Sequence, residues 1–188
     1  MKYNRKSGGF TIVELVITLG IVAILLSTAV PSIHSTIKNN RLVAQLNSVM
    51  ADIHFARSEA AKRQRRVILC RSPNPNLPSP VCDGTDQVWT SGYIVFADDG
   101  SNANNWYNSG VDTLLRRGQP AQTGVRLRTT TTWNRNLEVN PDGTLNEGGT
   151  AMMSICDDRG TEFGRQIVIT LNGIPRMYSG DIDDCSPS

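Results

Sequence analysis

The fold is decided by the stretch Gly8-Gly9-Phe10-Thr11-Ile12-Val13-Glu14-Leu15, which an apolar run continues to Val30 ahead of Pro31. Phe10 to Val30 contains 21 residues and a single ionisable side chain, that of Glu14. At about 1.5 Å of rise per residue, a helix of this length spans roughly 30 Å, which is the thickness of the hydrocarbon core of a bilayer. Because a backbone in lipid must satisfy its own hydrogen bonds, the segment is predicted to be a membrane-spanning helix.

A secretory signal peptide is the alternative interpretation of this N-terminus. The apolar run is longer than the usual h-region of about 7–15 residues, and no small-x-small cleavage site follows it. The leader carries Lys2, Arg5 and Lys6, which favours a cytoplasmic N-terminus. The sequence therefore indicates an anchor that stays attached to the rest of the chain.

The pattern Gly-Phe-Thr-x-x-Glu at the head of an apolar helix resembles the class III signal of type IV prepilins and pseudopilins. The resemblance implies that residues 1–9 are a leader, which a prepilin peptidase removes by cleavage between Gly9 and Phe10. It also implies N-methylation of the new Phe10 amine. In this family, the carboxylate at the position of Glu14 is thought to attract the N-terminal amine of a neighbouring subunit during assembly.

The helical pattern continues beyond Pro31, which is predicted to bend or loosen the helix without ending it. One helix is therefore expected from about Thr11 to about Arg63. Its second half carries an apolar stripe at mostly three- and four-residue spacing, which suits packing on a sheet. The stripe consists of Ile37, Val43, Leu46, Met50, Ile53, Ala56 and Ala60.

After Arg66 the hydrophobic period changes to that of short strands separated by turns. Strands are predicted at Val67 to Cys70, Val88 to Ala97, Thr113 to Arg116, Val125 to Trp133, Leu137 to Val139, Met152 to Cys156, Gln166 to Leu171 and Ile174 to Met177. Asn172-Gly173 predicts a tight hairpin between the last two. Strands that follow one long helix indicate an α+β fold, with the helix packed on an antiparallel β-sheet domain.

This second part resembles the FimT/FimU/GspH family of minor pilins and pseudopilins. The residues that carry the resemblance are Phe55-Ala56-Arg57-Ser58-Glu59-Ala60, Val67 to Cys70, Trp89 to Phe96 with Asp98, Gln166 to Ile169 and a Gly-x-x-Arg turn. A pilin-like organisation follows: leader 1–9, transmembrane half-helix 10–30, amphipathic half-helix 31–66 and a periplasmic β-rich globular domain 67–188.

Four cysteines are consistent with two disulfides in the periplasm, where disulfides persist. Four cysteines allow three connectivities. Cys70–Cys82 and Cys156–Cys185 are favoured, because each pair closes a short or terminal loop. No Cys-x-x-Cys pair is present, and His34 and His54 both lie on the predicted helix, so a metal site is not expected.

Charge is informative only locally, because the chain after Gly9 carries 16 basic and 17 acidic residues. A basic cluster of Lys62, Arg63, Arg65, Arg66 and Arg71 follows the helix, and further arginines lie at 116, 117, 126, 128 and 135. Such a cluster is usually a solvated face, but some FimT-like pilins bind incoming DNA through a Gly-Arg-x-Arg motif in the last hairpin. The corresponding turn, Gly173-Ile174-Pro175-Arg176, lacks the first arginine, and Asp181, Asp183 and Asp184 nearby repel phosphate.

No nucleophile motif, P-loop or dinucleotide fingerprint is present, so neither catalysis nor a cofactor is predicted. The resemblance implies a minor type IV pilin that helps to initiate or cap the pilus, and so serves pilus biogenesis and twitching motility. Implied partners are major and minor pilins, the prepilin peptidase, the inner-membrane assembly platform and, before assembly, membrane lipid. A DNA-binding pilin for natural transformation and a GspH-type pseudopilin of type II secretion are the alternatives. The chain would be a single-pass inner-membrane protein that later enters a filament at the cell surface.

Overall fold

The computed structural model of the chain describes residues 9–83, 87–100, 106–129, 136–146, 149–180 and 182. The chain divides into two compact units, Met1–Lys38 and Asn39–Ser188, which are described separately below. One α-helix, α1 (Ile12–Arg63), contributes to both units. The helix begins and ends within one residue of its predicted bounds and passes through Pro31 without ending there, as expected.

In the first unit, the helix is apolar and exposed. Its most apolar window has a mean hydropathy of 2.4 with none of it buried, and by length and composition it could cross a membrane. Thr11 starts the helix, since its hydroxyl accepts a hydrogen bond from the Glu14 N–H at 3.2 Å. A threonine at this position satisfies one of the backbone donors that every helix leaves unpaired at its start.

In the described part of the second unit there are eight strands, all paired antiparallel, in two sheets rather than in one. The first sheet has the order β3-β2-β1-β5 and the second the order β4-β6-β7-β8. The strands are β1 (Val67–Arg71), β2 (Tyr93–Ala97), β3 (Thr113–Gly118), β4 (Arg126–Thr129), β5 (Asn136–Val139), β6 (Ala151–Cys156), β7 (Arg165–Ile169) and β8 (Pro175–Ser179). A short 3₁₀ turn at Thr161–Phe163 precedes β7. The α+β fold with a long helix and antiparallel sheets is confirmed.

The predicted strands differ most from the structure at three places, and the other boundaries agree to within two residues. The predicted strand from Val88 begins only at Tyr93, because Gly92 has φ +117° and the chain turns there. Val88 instead forms an isolated bridge to Arg128. The predicted strand 125–133 is observed as β4 alone, and its end falls outside the described residues. The last hairpin is confirmed, but residues 170–174 connect its strands and make it longer than a two-residue turn.

The main core lies where the helix meets the inner faces of both sheets. Its helical members are all buried and follow three- and four-residue spacing: Leu42, Leu46, Val49, Ile53, Ala56 and Ala60. Val43, predicted to be on this face, is 38% exposed, because the stripe that includes Leu46 and Ile53 continues to Leu42 instead. Burial of these side chains stabilises the unit by about 25 cal/mol for each Å² of apolar surface removed from water.

A smaller cluster covers the opposite face of the first sheet. It consists of Ile68, Cys70, Ile94 and Phe96, with Cys82, Tyr107 and Leu114 packed against it. The Cys70–Cys82 disulfide confirms the predicted pairing and has a Cα–Cα distance of 5.6 Å. The two cysteines are 12 positions apart, and the loop between them contains the four prolines at positions 73 to 80, so the disulfide holds this loop against the sheet.

Asp52 is buried on the helix, although the sequence pattern placed it on the polar side. Its carboxylate accepts hydrogen bonds from the Tyr93 hydroxyl at 2.6 Å and from Arg116 at 2.5 Å. The Arg116 guanidinium also lies 4.1 Å from the centroid of the Phe55 ring. Burial, followed by the charge of Asp52 and the hydrogen bond to it, raises the pKa of Tyr93 well above its usual 10.0. These contacts join the helix to β2 and β3.

The raised pKa of Tyr93 predicts a loss of stability in alkali. Because the native state keeps the phenol proton while the unfolded chain releases it, the contribution of Tyr93 is present below pH 10.0 and declines at higher pH. Removal of its hydroxyl in Tyr93→Phe should lower the free energy of unfolding at neutral pH by about 1–3 kcal/mol. Urea unfolding at a series of pH values should show the gap between wild type and variant closing above pH 10.0.

Tyr178→Phe is the matched control, because the Tyr178 side chain is 51% exposed. It should unfold like wild type at every pH. A constant gap between wild type and Tyr93→Phe up to strong alkali would contradict the interpretation.

Candidate functional site

The N-terminal head of the helix presents the residues that the sequence assigned to processing and assembly. Gly9 lies just before the helix with open space around it, and Phe10 is 81% exposed. Glu14 lies in the first turn of the helix and is exposed as well. Among the described residues, no basic side chain forms an ion pair with Glu14. The preceding leader residues 1–8 lie outside the described part of the chain.

The helix behind this head offers a continuous apolar surface. Twelve large hydrophobic side chains from Ile12 to Val30 are 47–82% exposed. Thr18, Ser27 and Thr28 direct their hydroxyls to carbonyls one turn back, at 2.7–3.0 Å, so these polar groups are satisfied within the helix. Such a surface is suited to lipid or to other apolar helices, since contact with either removes it from water.

Most of the basic residues that the sequence grouped together form ion pairs or hydrogen bonds within the protein. Arg66 binds Asp98 and, at 3.2 Å, the buried carboxylate of Glu138. Arg71 pairs with Asp83 at 2.8 Å. The remaining partners are Glu59 for Lys62 and Arg63, Asp52 for Arg116, and the carbonyls of Pro75 and Leu77 for Arg117. Within the described residues, Arg65 and Arg176 are exposed without such a partner, and Arg135 lies outside those residues.

The last hairpin is fixed by Arg57, a residue to which the sequence assigned no contact. Arg57 donates from Nε to the carbonyl of Gly143 at 3.4 Å and from Nη2 to the carbonyl of Asn172 at 3.2 Å. Gly173 has φ +67°, and a Cβ atom placed on it would lie 2.1 Å from the oxygen of Gly143. Gly173 is therefore required for the close approach of two turns, which is a structural role.

Arg176 lies on the exposed edge strand β8. The register places it opposite Val168, on the face of the second sheet that points away from the helix. The same face carries Arg126 and Arg128 on β4, which pair with Cys156 and Ser154 of β6. Arg126 also donates to the carbonyl of Asp157 at 3.3 Å. The three arginines share a face, but the width of the sheet separates Arg176 from the other two.

Asp157 and Arg159 form a second contact that the sequence did not reveal. The Asp157 carboxylate is 3% exposed and accepts hydrogen bonds from the Arg159 guanidinium at 2.6–3.1 Å. Arg159 also donates to the side chain of Asn39 on the helix at 2.9 Å and lies over the ring of Phe163. The Asp-Asp-Arg-Gly turn that follows β6 is therefore held to the helix by a side-chain hydrogen bond.

Two further sequence assignments concern cysteines and metals. Cys156 is buried and packs with Ile182, whereas its predicted partner Cys185 lies outside the described residues, so this pairing stays a prediction. Asp181, Asp183 and Asp184 are likewise outside them. In the part of the chain that the structure describes, no three His, Cys, Asp or Glu side chains gather as a metal site would require.

The Gly143–Gly173 contact predicts that a side chain at position 173 lowers the stability of the protein. Gly173→Ala forces a Cβ atom into the Gly143 carbonyl and places a side chain on a residue with φ +67°, which together should cost about 2 kcal/mol or more. Thermal unfolding followed by tryptophan fluorescence should report a lower Tm. Gly149→Ala is the control, because a Cβ atom there meets nothing within 4 Å. Equal melting of the two variants would refute the proposed close approach.

Comparison with known proteins agrees with this geometry. Residues 45–173 match the protein family described as type II transport protein GspH. Residues 4–30 match the prokaryotic N-terminal methylation motif. No protein of curated function matches the chain by sequence.

The structure is similar to that of the type IV minor pilin FimU of Pseudomonas aeruginosa, which is known in two crystal forms. One match has 20% identity and a TM-score of 0.55, and covers 76% of this chain and 90% of that chain. The other match has 19% identity and a TM-score of 0.53, and covers 73% of this chain and 92% of that chain. At such identities, the likeness shows a common fold.

Proposed function

The chain belongs to the GspH family of type II transport proteins, and from that premise we propose that it is a minor pilin-type subunit, which helps to initiate or cap a filament. Its family and fold are those of structural pilins, which are not enzymes. The observation that carries the proposal is the exposed apolar helix from Ile12 to Val30, in a chain whose other unit has its own core. That surface requires lipid or neighbouring helices to cover it, and a pilin uses both in turn.

Processing would prepare the chain for this role. A prepilin peptidase would cleave between Gly9 and Phe10, and the new amine of Phe10 would be methylated. The N-terminal methylation motif at residues 4–30 supports this step. The exposure of Phe10 and the open space around Gly9 are compatible with access by a peptidase at the membrane surface.

Glu14 would then guide assembly. A carboxylate within lipid costs roughly 2–3 kcal/mol, so it benefits from a positively charged partner. The free amine at Phe10 of an incoming or neighbouring subunit supplies such a charge. Mutual neutralisation would offset the cost of burying both groups in the filament core.

The proposed location follows from the same helix. The methylation motif and the apolar helix point to anchoring in the inner membrane before assembly. The β-rich domain would lie in the periplasm, where Cys70–Cys82 and the predicted Cys156–Cys185 pair could form. Major and minor pilins and the inner-membrane assembly platform would be its partners as it enters the filament.

Glu14→Val should leave the protein in the membrane but reduce its incorporation into filaments. We expect a decrease of about tenfold or more, which corresponds to a loss of roughly 1.4 kcal/mol of attraction between subunits. The measurement is the ratio of the chain in sheared filaments to the chain in membranes, by quantitative immunoblot. Thr18→Val is the matched control, since it changes a polar residue one turn further along the same exposed helix. Normal incorporation of Glu14→Val would reject this role for the carboxylate.

A type II secretion pseudopilin is a related function, because the family is named for type II transport. Deletion of the gene would separate the two systems. A pilus subunit predicts loss of surface piliation and twitching motility with normal secretion. A secretion subunit predicts accumulation of exported proteins in the periplasm with normal piliation.

DNA uptake is the second candidate, and the exposed Arg176 is the observation in its favour. The engagement of most other arginines with carboxylates and carbonyls argues against it, because binding to DNA depends on the number of phosphates that cations neutralise. We therefore expect Arg176→Ala to change the midpoint of a low-salt gel-shift titration by about twofold or less. Arg65→Ala is the control at an exposed arginine elsewhere. A decrease of about 1 in the salt slope, specific to Arg176→Ala, would instead establish a phosphate contact.

A further inference from the structure

The second sheet ends at β8, whose outer side is an open edge. On its inner side, β8 pairs with β7 in an unbroken register, from Pro175 opposite Ile169 to Ser179 opposite Arg165. On its outer side, no described residue forms a backbone hydrogen bond with β8. Such an edge presents a row of N–H and C=O groups that can pair with another strand.

The other three sheet edges are covered or irregular in the described part of the chain. Residues 87–89 cover β4, where the Trp89 N–H donates to the Leu127 carbonyl at 2.9 Å. The edge of β5 is covered in the same way, because the Asn146 N–H donates to the Glu138 carbonyl at 3.1 Å. β3 pairs with β2 through a register shift, which bends an edge strand and makes it a poor template for pairing. β8 is therefore the edge best suited to bind a further strand.

The chain that follows β8 leads away from this open edge. Ile182 is buried and packs with Cys156 of β6. It also lies against Gly164, where an added Cβ atom would come within 2.3 Å of Ile182 Cδ1. Because β7 lies between β6 and β8, these contacts place Ile182 over the body of the sheet and not beyond β8.

The inner face of β8 carries an apolar side chain at the middle of the strand. Met177 lies opposite Ile167, which in turn lies opposite Met153. Directly opposite residues of antiparallel strands share a face, so the three side chains form one row on the helix-facing side. Ile167 and Met153 are buried in the core, whereas Met177 is 52% exposed. The apolar row thus continues to the open edge, where protected edge strands place a charge.

The strand is complementary to itself in one antiparallel register. When two copies pair about Met177, all five residues of each strand are used, and inner faces stay with inner faces. Arg176 then lies opposite Tyr178 of the other copy, and both side chains are exposed. A guanidinium over a tyrosine ring is a favourable contact, and the two-fold symmetry forms it twice. Parallel pairing would instead set the two Arg176 side chains against each other, which is destabilising.

We propose that β8 pairs antiparallel with β8 of a second copy of this chain, centred on Met177. The two four-stranded sheets then form one continuous sheet, and the two Met177 side chains cover each other on its inner face. Each strand contributes only five residues, so the interface is small and the pairing is weak, with a Kd of about 100 μM. This inference does not rest on the place of the chain in a filament.

Cysteine cross-linking of the full chain in detergent, at about 100 μM protein, tests the pairing. Opposite Cα atoms of antiparallel strands lie about 4.5–5.5 Å apart, within the range of about 4.4–6.8 Å that a disulfide spans. Under mild oxidation, Met177→Cys should form disulfide-linked dimer about tenfold faster than Leu171→Cys. Leu171→Cys is the matched control, because its side chain is 50% exposed and reports random collision and association through the apolar helix. Equal rates for the two variants would overturn the proposal.

The register is tested by mixing two variants, one of which carries an affinity tag. Arg176→Cys mixed with Tyr178→Cys should give a cross-linked heterodimer, whereas each variant alone should cross-link no faster than Leu171→Cys. Adding Met177→Lys to both variants should abolish the heterodimer, because it places two charges together at the centre of the inner face. The Tm should not change, since the Met177 side chain is half exposed. A heterodimer that persists with Met177→Lys would contradict the proposed pairing.

Discussion

The β-rich unit depends on a single seam, along which the apolar face of the helix from Leu42 to Ala60 meets two sheets. Side chains of both four-stranded sheets join the same helical residues in one core, so both sheets rely on this face of the helix for burial. Ala56 and Ala60, the two smallest helical members of the core, are fully buried in this seam. A change of helix phase by one residue would remove the apolar face from both sheets at once.

Around that seam, arginines connect elements that are far apart in the chain. Arg57, Arg66, Arg116 and Arg159 each donate to a carbonyl or carboxylate on another element. A planar guanidinium can bind two acceptors while its stem remains in apolar surroundings, which lysine does less well. The arginine-rich composition of this chain is therefore explained mainly by folding, and only secondarily by attraction to an anionic partner.

The elements whose signals are local could be predicted from the sequence. Periodicity predicts the helix bounds and the strand β1. Spacing along the chain predicts the Cys70–Cys82 pair, and turn chemistry predicts the turn at Gly173. The division into two sheets and the burial of Asp52 could not be predicted, because both depend on distant partners. Asp52 and Arg116 are 64 residues apart, and Arg57 and Gly143 are 86 apart. Periodicity indicates which face is apolar, but it does not identify the acceptor that a charged side chain reaches. The candidate site divides in the same way: its N-terminal motif is local, whereas the contact of Arg57 with the turns at Gly143 and Asn172 arises only after folding.

The separation of the two hydrophobic clusters has a consequence for protein engineering. The Cys70–Cys82 disulfide links the proline-rich loop to the cluster of Ile68, Ile94 and Phe96. This cluster has no residue in common with the helix-facing core. Foreign peptide could therefore replace its exposed tip, around Asn76 to Ser79, while the Cys70–Cys82 staple and the seam remain intact. In a protein that enters a filament, such a tip would be an insertion point for epitope display.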